Sequence, residues 1–379
     1  MNWFTGGLND AKKWIGQLTD PTKRERAAQE LIRLGADAAP ALIEALQSRD
    51  PNLPPILGRI LVRIGPAATP ALVAALKSAH PLVRAQCVDI LAQTKDRSAL
   101  PALLDALQGE FYTVRARVCT AFGQLGEPQT IPPLLHTLKD PEPEVRIQAA
   151  LALGAFRDPT TFDDIAGLLL DDQKIEVRQG AARALGGTCH TAALPFLMEA
   201  LRDSFWWYER EQTASDLLDA IEAMGPDAVE PLIEALADRE GTVRKFAAII
   251  LGELKDARAV EELGMALYDL HHEVSRVAAE ALGKIGAPAV DVLAEALRHA
   301  EAGVREHAIL GLGMIQDPRV APLLIDMLQD PERFVQKQAI LALGGLRDPR
   351  AIVTLKEIAN HRSDREFSAL ARELLNKNA

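Results

Sequence analysis

Four aromatic side chains stand in a row at Phe205-Trp206-Trp207-Tyr208, in a chain with four Trp and three Tyr in all. Trp and Tyr join a large apolar face to a polar handle and dominate binding hot spots. The run therefore reads as an anchor for a partner or a flat ligand, with Glu209, Arg210 and Glu211 as a charged rim. Further aromatics stand at Phe111, Tyr112, Tyr268 and Phe334, and histidines at His271, His272 and His299. Other groups fit chemistry less well. Two-metal catalysis needs several ligands converging, whereas His272-Glu273 is a lone His-Glu pair and Glu306-His307 has the reverse order. Cys189-His190 is adjacent in sequence, which is not the geometry of a nucleophile and its base. No phosphate-binding Gly loop, zinc spacing or Gly-x-Ser-x-Gly appears. The sequence thus implies no catalytic residue, metal site or cofactor.

The elements that place these residues are set by a period. A Val-Arg pair recurs at Val83-Arg84, Val114-Arg115, Val145-Arg146, Val177-Arg178, Val243-Arg244 and Val304-Arg305. With its first residue as anchor, equivalent positions fall at Lys23, Leu53, Val83, Val114, Val145, Val177, Thr213, Val243, Val274, Val304, Val335 and Glu366. The steps are 30 to 32 residues, except one of 36 before Thr213. Such a period marks one supersecondary unit stacked many times. Each unit reads as two helices. Helix A is short and apolar, as in Ala99 to Leu107 or Ile131 to Leu138, with an early proline where its missing N–H costs nothing. Helix B follows the anchor, as in Val145 to Gly154, with apolar residues at three- and four-residue steps. Turns such as Asp140-Pro141-Glu142-Pro143 and Arg157-Asp158-Pro159 separate them. The Asp before helix B (Asp140, Asp172, Asp238, Asp269, Asp330) is placed to accept orphan N–H groups or to pair with an anchor Arg, which gives a ladder of Asp–Arg contacts between layers.

The signature Asp-Pro, Val-Arg, Ala-Leu-Gly, seen from Asp140 to Gly154 and from Asp330 to Gly344, resembles the HEAT family, in its short variety named after the phycobilisome lyases. The resemblance implies an all-α fold, an α-α superhelix (a HEAT-type α-solenoid) of twelve two-helix repeats. One solenoid over 1–379 is expected, with an N-terminal cap at 1–20, an aromatic insert at 204–212 within repeat seven, and a C-terminal capping repeat at 350–379. In repeat seven nine residues separate Asp203 from Thr213, where an ordinary turn has four. Insertions in a solenoid map to one edge, and the other aromatics and histidines share that turn register, so a discontinuous ridge is expected there.

Composition narrows the function. Apolar residues make 48% of the chain and aromatics only 4%, which suits thin layers of small helices. The net charge of -11, with no Lys/Arg run longer than two, argues against phosphate tracking along nucleic acid. Three cysteines give no disulfide framework, and neither a signal-like start nor an 18-residue apolar stretch is evident, so a cytoplasmic location without membrane partner is expected. The fold serves many roles. The leading reading is a non-catalytic scaffold or adaptor for protein partners. The alternative implied by the family is a phycobilin lyase-like or chaperone-like factor for a tetrapyrrole-bearing protein, the one enzymatic class the resemblance favours. The family also includes a di-iron hydroxylase built on repeated His-Glu pairs, and DNA glycosylases; the lone pair and the acidic charge oppose these.

Overall fold

The computed structural model describes residues 4–203, 215–360 and 364–377, and they are helical with no strand among them. The architecture is the expected α-solenoid. The chain divides into two units, Met1–Ala193 and Leu194–Ala379. In each unit a short helix A and a longer helix B alternate. Leu100–Leu107 and Tyr112–Leu125 form one pair, and Val229–Ala235 and Gly241–Leu254 another.

Helix B starts earlier than the period suggests. Pro143–Phe156, Gly241–Leu254 and His272–Ile285 each place the anchor valine third, so it closes the first turn instead of opening the helix. The reason is local: a residue in extended backbone, Glu142, Glu240 or His271, ends the turn three residues before the anchor, and the helix starts directly after it. Helix A is in turn preceded by a tight 3-10 turn, such as Arg97–Ala99 or Ala257–Ala259. An Asp starts it by accepting the N–H two residues on, as Asp96, Asp158 and Asp256 do. The residue before that Asp is left-handed: Lys95, Arg157 and Lys255 take φ near 53°, and Gly126 serves the same corner at 67°.

The core is aliphatic and thin. Val145, Ala149, Ala150 and Leu153 are fully buried on one helix B, and Val243, Ala247, Ala248 and Leu251 on another. The glycine of Ala-Leu-Gly sets the spacing between successive B helices. A Cβ on Gly154 would stand 2.5 Å from the Ala184 carbonyl oxygen of the next layer.

The Asp–Arg ladder joins the layers as expected. Arg115 donates Nε and Nη2 to Asp140 at 2.7 and 2.9 Å, and Arg146 does so to Asp172 at 2.8 and 3.0 Å. Arg244–Asp269 and Arg305–Asp330 repeat the arrangement in the second unit. Each carboxylate also accepts the backbone N–H two residues on, while the remaining guanidinium nitrogen, Nη1, donates to two carbonyls of its own turn. Both proposed roles of the Asp are thus filled at once. Such forked, charge-assisted contacts fix geometry more tightly than a point charge would.

At the N-terminal end, helix Phe4–Ile15 is followed by the fully buried Leu18, and Lys12 pairs with Glu44 at 3.1 Å. Helices Pro349–Asn360 and Arg365–Lys377 close the described chain. One sequence reading needs correction. Leu53–Ala75 is long and apolar enough, by composition, to cross a membrane. It does not run straight here: Gly65 at φ 71° and Pro66 break it into Leu53–Ile64 and Thr69–Ala75.

Candidate functional site

The insert carrying Phe205, Trp206, Trp207, Tyr208 and Arg210 lies outside the described residues. The remaining candidates fall into two groups, one in each unit.

In the second unit, repeats nine and ten break the ladder together. At the place of the anchor arginine stands Ser275, and at the place of the turn aspartate stands His299. His299 keeps one half of the Asp's work, since its Nδ1 accepts the Glu301 N–H at 3.1 Å. It cannot offer a forked carboxylate, and Ser275 has no guanidinium. The gap is filled from the next helix. His307, on Ala302–Gly313, is 4% exposed, and its Nδ1 lies 3.0 Å from Ser275 Oγ. The same hydroxyl donates to the His272 carbonyl at 3.1 Å, so His307 Nδ1–H is the donor in the pair. The ring of His272 meets that of His307 edge-on at 4.5 Å. Tyr268 tilts over His299 at 5.1 Å.

Burial governs the electrostatics here. His307 is pushed down from 6.5 to about 4, first by burial and then by neighbouring His272 and Arg276, so its imidazole is neutral at physiological pH. Burial likewise raises the Tyr268 phenol, with Glu295 adding to it. Arg276 is engaged by Glu273 at 3.2 Å and by Glu280. Ser275 and His307 are each at most 5% exposed, so the pair resembles a nucleophile and base in composition only: no substrate reaches it.

His271 caps helix His272–Ile285, and its N–H donates to Asp269 Oδ1 at 2.8 Å. Its ring lies against Gly241, where any Cβ would overlap it. The ring-to-ring contacts form two pairs, Tyr268–His299 and His272–His307, while His271 faces the preceding repeat. Phe334 stands 45% exposed on helix Arg333–Gly345. Around the same turn, Leu270 is 99% and Met265 70% exposed, beside Tyr268 at 40%. In the sequence His307 stood out only as half of a reversed His-Glu pair, and Ser275 and Leu270 were passed over. The available signals were a Ser in the arginine column, a His on the face of helix B that the ladder serves, and a Leu in a polar turn.

In the first unit, Phe111 and Tyr112 are 38% and 46% exposed in the turn of repeat four. Phe111 ends the turn in extended backbone, and the Arg84 guanidinium lies over its ring at 4.3 Å. Cys189 and His190 are turn residues. Cys189 takes the left-handed corner at φ 47°, and His190 Nδ1 accepts the Ala192 N–H at 3.1 Å, as Asp does in other repeats. Cys87 and Cys119 are buried, and burial drives both thiols up to about 12. No group of three or more His, Cys, Asp or Glu converges for a metal ion among the described residues.

No curated protein matches the chain in sequence. Among solved structures, the karyopherin Kap121p, bound to the extreme C-terminus of the protein phosphatase Cdc14p, superposes at a TM-score of 0.61 with 15% identity. That match covers 99% of this chain and 50% of the karyopherin, so the chain spans half of that protein's length. Human deoxyhypusine hydroxylase shares 22% identity over 69% of this chain and 98% of its own, at a TM-score of 0.31. The CpcE–CpcF phycocyanin lyase of Nostoc shares 22% over 59% of this chain and 92% of its own, at 0.35. A PBS lyase HEAT-like repeat is matched at residues 23–48, and HEAT repeats at 69–142, 131–217, 229–307 and 290–376. With well over half of its residues inside those repeats, the chain belongs to the HEAT-repeat family.

Proposed function

We propose that the protein is a non-catalytic interaction scaffold for protein partners. The observation that carries this reading is the turn of repeat nine, where Leu270 is 99% exposed beside Met265 and Tyr268. A leucine wholly in water, flanked by a thioether and a phenol, is an apolar patch that gains by being covered. By sequence register the aromatic insert 204–212 belongs to the equivalent position of repeat seven, and it serves in this reading as the second anchor of the scaffold. A karyopherin of the same fold holding a protein C-terminus fits this reading.

The test is affinity capture with wild type, Leu270→Glu, and the double variant Trp206→Ala/Trp207→Ala, followed by identification of bound proteins. Each variant is expected to lose a subset of the partners retained by wild type, with unchanged helicity by circular dichroism. Identical partner sets for all three proteins would sink the assignment of both turns.

A further inference from the structure

The ladder is also interrupted between repeats three and four, and here no side chain takes the missing place. Arg84 occupies the anchor-arginine column. The carboxylate it should meet belongs five residues before the next anchor, Val114, and that position is Gly109. The equivalence is structural as well. Arg115 Nη1 donates to the carbonyls of Gly109 and Glu110, just as Arg146 Nη1 does to those of Asp140 and Pro141. Arg84 Nε is buried without a hydrogen-bond partner, and no carboxylate among the described residues pairs with the guanidinium. The group lies over Phe111 instead.

Arg84 and Gly109 line one cleft of about 420 Å³. Its apolar walls include Val73, Leu76, Pro101 and Phe111, and its other charged side chains are Lys77 and Asp105. Two cations against one carboxylate leave it positive, in a chain whose net charge is -11. We propose that this cleft receives an acidic peptide segment of a protein partner, whose Asp or Glu carboxylate takes the vacant rung on Arg84 while a neighbouring apolar side chain packs against Phe111. Every intact rung shows that a carboxylate is what this guanidinium column is built to hold, and the apolar walls favour a peptide over a bare anion. The assignment rests on the scaffold reading and specifies the chemistry of one of its partners.

The experiment selects random displayed peptides on the intact protein, then measures the winners by fluorescence polarisation against wild type, Arg84→Gln and Gly109→Asp. The second variant supplies the missing carboxylate in cis. An added Cβ at Gly109 would meet the Ala106 carbonyl oxygen at 3.1 Å, and Asp140, Asp269 and Asp330 of intact rungs have the same backbone turn, each N–H donating to the carbonyl three residues back. The expected result is an Asp- or Glu-containing consensus whose binding falls about tenfold to a hundredfold in both variants. Gly109→Asp is also expected to raise the melting temperature, which reports the pairing with Arg84 without any peptide. Winners without an acidic residue, an empty selection, or winners held equally by all three proteins would overturn the assignment. The last outcome leaves the scaffold reading intact, because binding would persist elsewhere on the array. Displacement of the peptide by sodium phosphate as readily as by excess peptide would make the occupant a small anion and also overturn it.

Discussion

The buried imidazole of His307 ties the stability of the second unit to pH. The ring is 4% exposed and is wedged between Ser275 Oγ and the His272 ring. Its pKa falls from 6.5 to about 4, by burial above all. Between those two values the unfolded chain binds a proton that the folded chain refuses, so stability is complete above the unfolded value and declines as pH falls toward the folded one. The two pKa values give a loss on the order of 2 to 3 kcal/mol at about pH 4.5. The ladder carboxylates do not confuse this window. Arg305 holds Asp330 below its ordinary 3.8, and its contribution disappears only as pH falls below that value. The assay is urea unfolding followed by circular dichroism, from neutral pH down to about pH 4.5, on wild type and His307→Gln. Glutamine keeps an amide to meet the Ser275 hydroxyl but does not titrate. Wild type is expected to lose on the order of 2 to 3 kcal/mol more than the variant over this range, since the other histidines are present in both. Parallel losses in the two proteins would refute the assignment of the acid sensitivity to this ring.

Breaking a rung tests the ladder. Arg305→Ala leaves the Asp330 side chain, 3% exposed, with only the Glu332 N–H, and is expected to cost about 3 kcal/mol or more in urea unfolding. Adding Asp330→Asn to that variant is expected to restore part of the loss, and a strictly additive pair would mean the two do not interact. Gly154→Ala drives a methyl to 2.5 Å from the Ala184 carbonyl oxygen, so a loss of about 2 kcal/mol is expected, and an unchanged melting temperature would show that the layers part freely. Lys255→Gly relieves a left-handed φ of 54° and is expected to stabilise by about 1 kcal/mol; a loss would show that the Lys255 side chain outweighs the strain.

The architecture was legible because its period is carried by paired residues with one physical job. The Val of Val-Arg is buried in every layer that has it, and Arg115, Arg146, Arg244 and Arg305 each meet an Asp one repeat away, so both recur at fixed spacing. Helix starts were less legible. The anchor marks where the core begins, whereas the helix begins where the turn residue leaves extended backbone, two positions before the anchor at Glu142–Pro143. The Ser275–His307 pair was not legible from composition, since its members lie 32 residues apart on neighbouring helices and neither belongs to a motif. His299 in the Asp column stood out; Ser275 in the Arg column carried the same message and was informative only when the two were read as one rung.

The two broken rungs give opposite consequences from one cause. Removing both partners, as at Ser275 and His299, leaves no charge to satisfy, and a neutral imidazole closes the layer. Removing the aspartate alone, as at Gly109, leaves a cation on an open cleft. An uncompensated, partly buried guanidinium costs stability. Four rungs, Arg115–Asp140, Arg146–Asp172, Arg244–Asp269 and Arg305–Asp330, supply the matching Asp, whereas Gly109 leaves it out opposite an arginine whose Nε is buried without a partner. Departures from local consistency concentrate where function opposes stability. On that ground the vacant Arg84 rung is a stronger functional candidate than the buried Ser275–His307 pair, whose polar groups already satisfy one another.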